Sequence, residues 1–297
     1  MDNETLLTKL DNYSKMYINE KTSLNISDNT ILVYKRVLES FYEFILEENA
    51  IIQLNDISKE IVLKFINKDT ESATSSKILY LTVLKAFFSF MDEQEDLQGL
   101  FEIKFKKLTL KKESVEVDAL NESEVKRLLA LINQKTKSFN KIRDALLIKL
   151  ILFTGIRASE CLEIQLSDFS YIEDNTVYKI KIQGKGAKER YVYIKVNLIQ
   201  KELDFLQNYI TNYIAITNQN KRMSRVGLYS VISNKMKKAL IKKKGVHILR
   251  HTFARRLVAK NINLVTISEL LGHADITLTA KTYAKSDEGN KIRAILV

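Results

Sequence analysis

Residues 176–196, TVYKIKIQGKGAKERYVYIKV, decide the fold class, because here the apolar period changes to two. Val177, Lys179 and Lys181 alternate with Tyr178, Ile180 and Ile182, and RYVYIKV alternates again after QGKGAKE. Two alternating runs around a glycine-bounded turn predict a β-hairpin. Lys185 stands between Gly184 and Gly186 in that turn, on a flexible arm reaching outward. On either side of the hairpin the apolar spacing is helical. The expected fold is therefore mainly α, with an N-terminal helical bundle and a C-terminal α+β domain holding a small β-hairpin or sheet.

Upstream, a strongly apolar helix is expected from about Lys141 to Phe153, with Leu146, Leu147, Leu150 and Ile151. Gly155 can end it in a left-handed conformation. The next helix then starts at IRASECLEI, which places Arg157 at a helix N-terminus, where a cation and exposed N–H groups can face one anion. Glu160, one turn on, can hold that guanidinium. Before this pair, Asn121 and Glu124 have the spacing of a capping box for a helix carrying Leu128, Leu129 and Ile132. Residues 104–117, KFKKLTLKKESVEV, lack a helical period and crowd Lys104, Lys106, Lys107, Lys111 and Lys112 together. They read as a basic linker, either touching phosphates or simply solvated, between domains at 1–103 and 118–297. In the first domain, Asp28 or Asn29 can cap a helix whose Tyr34, Leu38, Phe41 and Ile45 form a stripe, and Val62, Phe65, Ile66, Ile78, Leu81, Leu84, Phe88 and Met91 continue it on later helices. These aromatic rings are expected in the interior of the bundle.

Downstream, Asn197 is expected to cap a helix with Leu198, Leu203, Leu206 and Tyr209. Lys235, Lys237, Lys238, Lys242, Lys243 and Lys244 make the densest basic run. It reads as the basic face of an amphipathic helix end, contacting a phosphate backbone without reading sequence. After Gly245 comes HILRHTF (247–253), then LLGHADITLTAKTY (270–283). His247, Arg250 and His251 lie at i, i+3 and i+4 and share a helix face. Gly272 can cap a helix and leave His273 just past its end.

The charge is uneven. Residues 1–117 carry 15 Lys+Arg against 20 Asp+Glu, a net of −5, and the rest carries 32 against 16, a net of +16. A strongly basic second half is the footprint of a polyanion-binding surface. Hydrophobic residues at 45% fit a globular chain, and no run of eighteen apolar residues suggests a membrane span. The N-terminal MDNETLLTKL lacks the layout of a secretion signal. The single cysteine, Cys161, excludes an internal disulfide and fits a reducing cytoplasm.

These residues suit attack by a tyrosine on a DNA phosphodiester. A phenol with a pKa of about 10 needs a base to take its proton. Charge gathering on the non-bridging oxygens needs fixed donors, and the leaving 5′-oxygen needs an acid. Arg157, Arg250, His247 and His273 can supply donors or a base, Lys185 the acid, and Tyr283 the attack. No metal, ATP or other cofactor is required.

The motifs GIRASE, GKGAKER, HILRHTFARRL, LLGHADI and the downstream Tyr283, in that order, resemble the boxes of the tyrosine recombinase (phage integrase) family. DNTILVYKRVLESFYEFI and SSKILYLTVLKAFFSF resemble its SAM-like helical core-binding domain. The size and the GKG hairpin are similar to Xer-type recombinases, which resolve chromosome dimers, and to compact mobile-element integrases. The resemblance implies that Arg157 and Arg250 clamp the phosphate and that His247 transfers protons. It implies that His273 stands where relatives have His or Trp, that Lys185 is the general acid, and that Glu160 supports the arginines. Tyr283 then forms a 3′-phosphotyrosine and frees a 5′-hydroxyl. It also implies a homotetramer on two double-stranded recombination sites, working through a Holliday junction, and leaves open whether a second recombinase or a DNA translocase takes part. The apolar end of the chain, ILV, is expected to dock on a neighbouring subunit or on its own domain. Tyr283 lies ten residues beyond His273, where Xer-type relatives have nine and phage integrases ten. His251 fits the family's LRH pattern and is expected to serve the fold.

Two other functions compete. His247, His251 and His273 could form a zinc site in a metal-dependent hydrolase, although Ile248 stands where zinc proteases carry glutamate. A DNA-binding factor without catalysis would keep the basic surface and have no use for Tyr283.

Overall fold

A computed structural model describes residues 5–48, 53–69, 73–94, 99–105, 107–111, 118–184, 189–210, 212–273 and 275–283. The chain divides into two compact units, Met1–Val115 and Glu116–Val297. Among the described residues, no helix is long and apolar enough to cross a membrane.

The first unit holds α1 (Leu6–Ser23), α2 (Asp28–Glu47), α3 (Lys59–Ile66), α4 (Thr74–Asp92) and α5 (Leu100–Phe105). The Thr5 and Ser58 hydroxyls accept the N–H groups of Thr8 and Ile61 at 3.3 and 3.4 Å, which caps α1 and α3. At α2 the cap position falls on Ser27 rather than Asp28 or Asn29. Asp28 instead opens the first turn, where its negative charge suits the helix dipole. The apolar stripes bring Phe41, Phe65, Phe87, Phe88 and Met91 to full burial. Phe41 meets Phe65 edge-on at 5.1 Å, and Phe88 stacks on Phe101 at 4.6 Å. Rings buried this way stabilise the bundle and offer no platform to a base. The expected linker starts too early at 104, because α5 and the turn after it carry Phe105 and Leu108 into this core. Lys107 and Lys111 are exposed, whereas Lys106 and Lys112 lie outside the described residues.

The second unit is built around α7 (Phe139–Thr154). Leu146, Leu147, Leu150 and Ile151 are all fully buried, as expected for a helix that is apolar on every side. It follows α6 (Glu122–Ile132), whose capping box forms as expected, with Asn121 Oδ1 and Glu124 Oε2 each accepting the other residue's N–H at 2.9 and 2.8 Å. Around α7 pack α9 (Val196–Leu206), α11 (Val246–Ala259) and the sheet. α8 (Ala158–Glu163), α10 (Arg225–Lys238), α12 (Leu264–Leu271) and α13 (Ile276–Tyr283) complete the α-helices among the described residues.

The sheet is antiparallel in the order β1 (Phe169–Ile172), β2 (Val177–Gln183), β3 (Glu189–Lys195). Tyr178, Ile180, Ile182, Val192 and Ile194 face the core. Lys179 and Lys181 pair across the strands with the exposed Tyr193 and Tyr191. β1 escapes sequence reading because its four half-exposed and exposed residues show no alternation. Glu173, Asp174 and Asn175, all at positive φ, turn the chain from β1 into β2. Lys195, not Asn197, is the cap of α9, and Tyr209 lies exposed beyond its end. The basic helix face stops at Lys238, so Lys242, Lys243 and Lys244 fall in the segment before α11.

Candidate active site

The site grows from two left-handed glycines. Gly155, at φ 69°, ends α7, and Gly272, at φ 65°, ends α12. A Cβ on Gly155 would stand 2.3 Å from a Phe253 ring carbon, so the turn admits no side chain there. Just after the first turn, Arg157 takes the cap position of α8. Its backbone N–H donates to Glu160 Oε2 at 2.6 Å, and its Nη1 donates to Glu160 Oε1 at 2.9 Å. Glu160 thus occupies this one backbone N–H of the helix start. The guanidinium itself remains partly exposed, at 37% of its side-chain surface.

Glu160 is buried, and its two oxygens take two further bonds from Arg190 on β3, Nη1 to Oε1 at 2.7 Å and Nη2 to Oε2 at 2.8 Å. Burial alone would raise its pKa. The hydrogen bonds from Arg190 and Arg157 outweigh that and hold it below the ordinary carboxylate value.

Arg250, on α11, is almost wholly buried. Its Nη1 donates to the Gly155 carbonyl at 2.6 Å and its Nη2 to the Leu271 carbonyl at 2.8 Å. Burial, and then Arg157, lower its pKa to about 10, which leaves it charged at neutral pH. The carbonyls of Leu270, Leu271 and Gly272 accept from Arg190, Arg250 and Arg157 in turn, at 3.3, 2.8 and 2.8 Å. The negative end of α12 thus orients all three cations.

His247 is exposed in the first turn of α11. Desolvation, followed by the charges of Arg250, Arg157 and Arg225, lowers its pKa. His273 follows Gly272, and its Nδ1 shares a hydrogen bond with Thr279 Oγ1 at 2.7 Å. Burial and the Arg250 and Arg157 charges push it down to about 4, so it is neutral at pH 7. Tyr283 ends α13, buried, with its hydroxyl 2.5 Å from His251 Nδ1. Burial raises the phenol's pKa, while Arg250 and Arg255 pull it the other way.

Arg157, Glu160, His247, Arg250, His273 and Tyr283 therefore gather in one place. Lys185 lies outside the described residues, although its hairpin is fastened to the cluster through Arg190. Among the described residues, no three His, Cys, Asp or Glu side chains converge to hold a metal, so the three-histidine zinc site does not form. Lys243 is engaged within the fold: its Nζ donates to the Ala119 carbonyl at 2.6 Å and to Glu124 Oε2 at 2.8 Å. Lys242 and Lys244 are exposed.

Sequence reasoning misses two participants. Arg190 pairs across the sheet with Ile182, so it occupies an inward-facing position where the alternation asks for an apolar residue. A charge in the inward phase is the signal that could have found it. His251, expected to serve the fold alone, also meets the tyrosine hydroxyl.

The Phage integrase family model matches residues 118–290. The chain is 32% identical to tyrosine recombinase XerH of Campylobacter jejuni, covering 90% of this chain and 78% of that protein. It is 27% identical to tyrosine recombinase XerD of Staphylococcus saprophyticus, covering 92% of each. Among solved structures, XerH bound to its palindromic difH substrate in a post-cleavage complex matches with a TM-score of 0.78. The identity is 26%, over 93% of this chain and 82% of that one.

Proposed function

The chain belongs to the phage integrase family and is a tyrosine-type site-specific DNA recombinase, and we propose that Tyr283 is its nucleophile within a centre formed by Arg157, Lys185, His247, Arg250 and His273. The observation that carries this reading is the pair Arg157 and Arg250. Both guanidiniums are fastened to the final turn of α12, and Tyr283 lies close enough to Arg250 to feel its charge.

The Tyr283 oxygen attacks the scissile phosphorus and displaces the 5′-oxygen. The O–P bond to tyrosine forms as the P–O5′ bond breaks. Arg157 and Arg250 meet the charge on the non-bridging oxygens. His247 or His273, neutral at pH 7, accepts the phenol proton, and Lys185 gives one to the leaving oxygen. The resulting 3′-phosphotyrosine keeps the phosphodiester energy, so a 5′-hydroxyl from the exchanged strand reseals the DNA without ATP.

Four strands must be cut to exchange two duplexes, which calls for a homotetramer on two copies of a double-stranded site and a Holliday junction between the two rounds. The relatives' names and their coverage of this chain support a Xer-like use in resolving chromosome dimers before cell division, with a second recombinase or a translocase as partner. The ten-residue spacing from His273 to Tyr283 supports the other use, integration and excision of a mobile element. Both place the protein in the cytoplasm. In this reading the first unit, Met1–Val115, forms the core-binding domain. Exposed lysines such as Lys107, Lys111, Lys242 and Lys244 contact phosphates, as do Lys104, Lys106 and Lys112.

The test is Tyr283→Phe on a nicked suicide substrate. Non-covalent DNA binding is expected to persist while the covalent protein–DNA adduct vanishes. Unchanged adduct yield would overturn the assignment. Sequencing the DNA trapped by the parent protein identifies the target site and hence the biological use.

A further inference from the structure

We propose that Arg190 is a positioning residue for strand cleavage, fixing Arg157 through Glu160 without touching DNA itself; the inference rests on the reading of Arg157 as a phosphate clamp. The accessibility of the three side chains sets the order. Arg157 is 37% exposed, Arg190 16% and Glu160 5%, so Arg157 faces outward and Arg190 stands behind it.

Arg190 grips both oxygens of Glu160, which fixes the plane of the carboxylate. The same two oxygens then receive the backbone N–H and Nη1 of Arg157. The orientation of the outer guanidinium is thereby set by the inner one. Through Nε, Arg190 also reaches the Leu270 carbonyl at 3.3 Å, one residue before the carbonyl held by Arg250. Gly272 makes room for this arrangement, since a Cβ there would lie 2.8 Å from the Arg190 guanidinium carbon.

A purely structural account is less suited to this position. Arg190 lies in register with Ile182 on the face that buries Val192 and Ile194, where an apolar side chain would pack without desolvating a charge. A buried ion pair adds little net stability compared with such a residue. What an apolar residue could not do is keep Glu160 in a fixed plane behind Arg157. Misplacing a catalytic group by about 1 Å can cost on the order of a hundredfold in rate.

The experiment compares the full-length parent with Arg190→Lys, Arg190→Ala and Arg157→Ala in single-turnover cleavage of a suicide duplex. Non-covalent DNA affinity and thermal unfolding are measured on the same samples. Arg190→Lys keeps the charge and loses the fork, and it guards against a folding defect in the alanine variant. Both Arg190 variants are expected to bind DNA near the parent's affinity and to cleave about a hundredfold more slowly, lysine less affected than alanine.

A second substrate carries a neutral methylphosphonate at the scissile position, which removes the charge that Arg157 counters. All three variants are expected to recover on it to within about tenfold of the parent, because the lost donor then has little charge to meet. A folded Arg190→Lys that cleaves the ordinary duplex at the parent's rate overturns the proposal. So does an Arg190 defect that persists on the methylphosphonate while Arg157→Ala recovers. If Arg157→Ala cleaves the ordinary duplex normally, it is the clamp reading itself that fails.

Discussion

The Tyr283 hydroxyl lies 2.5 Å from Nδ1 of His251, with the phenol buried. Burial, and then the charges of His247 and Arg250, push His251 down to about 4, while burial raises the phenol above its ordinary value of 10. An imidazole that weakly basic cannot hold the phenol's proton, so the pair stores a protonated nucleophile rather than an activated one. Replacing His251 with leucine leaves the hydroxyl without this partner in a buried place, which favours its release. Nitration of Tyr283, mapped by mass spectrometry on DNA-free protein, should be several-fold faster in His251→Leu than in the parent. Equal rates would mean that this hydrogen bond does not restrain the phenol.

Acid should weaken the fold through the same histidines. His251 and His273 titrate near 4 in the folded chain, against about 6.5 when unfolded. Between those values the unfolded chain binds more protons, so the equilibrium shifts toward unfolding as pH falls. Their contribution is complete above about pH 6.5 and is lost progressively toward 4, and the lowered His247 acts in the same direction. Urea midpoints should be level from pH 8 to 7 and then decline steadily between 6.5 and 4. A midpoint as high at pH 5 as at pH 7 would contradict the depressed values.

Gly155 joins the central helix to the cap residue Arg157, and alanine there faces two obstacles. The φ of 69° costs a side chain on the order of 1 kcal/mol, and the new Cβ would fall 2.3 Å from the Phe253 ring. Phe253 packs in the small cluster of Ala254, Ile267, Leu271 and Tyr283, so it has little room to move. Gly155→Ala should destabilise the protein by roughly 2–3 kcal/mol, the sum of backbone strain and overpacking. It should also reduce cleavage in the fraction that remains folded. Chemical denaturation checks the first effect and single-turnover kinetics the second.

Whatever depends on local period or on a glycine break is legible in the sequence. α7, the β2–β3 hairpin and the capping box at Asn121 follow from spacing alone. Arg157 and His273 sit just past glycines that end helices, and His247 and Arg250 share one helix face, so residue order is enough to single out each of them. The partners are another matter. Arg190 is in phase with Val192 and Ile194, so the alternation marks it as inward-facing, but its bonds to Glu160 and the Leu270 carbonyl join residues 30 and 80 positions apart and show in no local pattern. The His251 to Tyr283 hydrogen bond spans 32 residues and depends on how α12 and α13 fold back on α11. β1 is too short and too exposed to show a period. Lys195 caps α9 through its backbone alone, with no side-chain bond, so the more typical cap residue Asn197 misleads by falling inside the first turn.

The run Lys242–Lys243–Lys244 looks uniform in sequence and is divided by the fold. Lys243 is held by Glu124 and the Ala119 carbonyl at the start of α6, and its salt bridge lowers the Glu124 pKa against the effect of burial. Its neighbours are exposed. Removing Lys243 breaks the bonds that fasten α6, whereas removing Lys242 or Lys244 takes away only a cation open to solvent. Lys243→Ala should therefore lower the denaturation midpoint, by an amount equivalent to about 1–2 kcal/mol, since it leaves a partly buried carboxylate without its cation. The double variant Lys242→Ala with Lys244→Ala should leave that midpoint unchanged and weaken binding to any duplex alike. For every phosphate no longer neutralised, the slope of log affinity against log salt falls by about 0.9. Measuring binding at several salt concentrations separates the two classes: a shallower slope in Lys243→Ala than in the double variant would reverse the assignment.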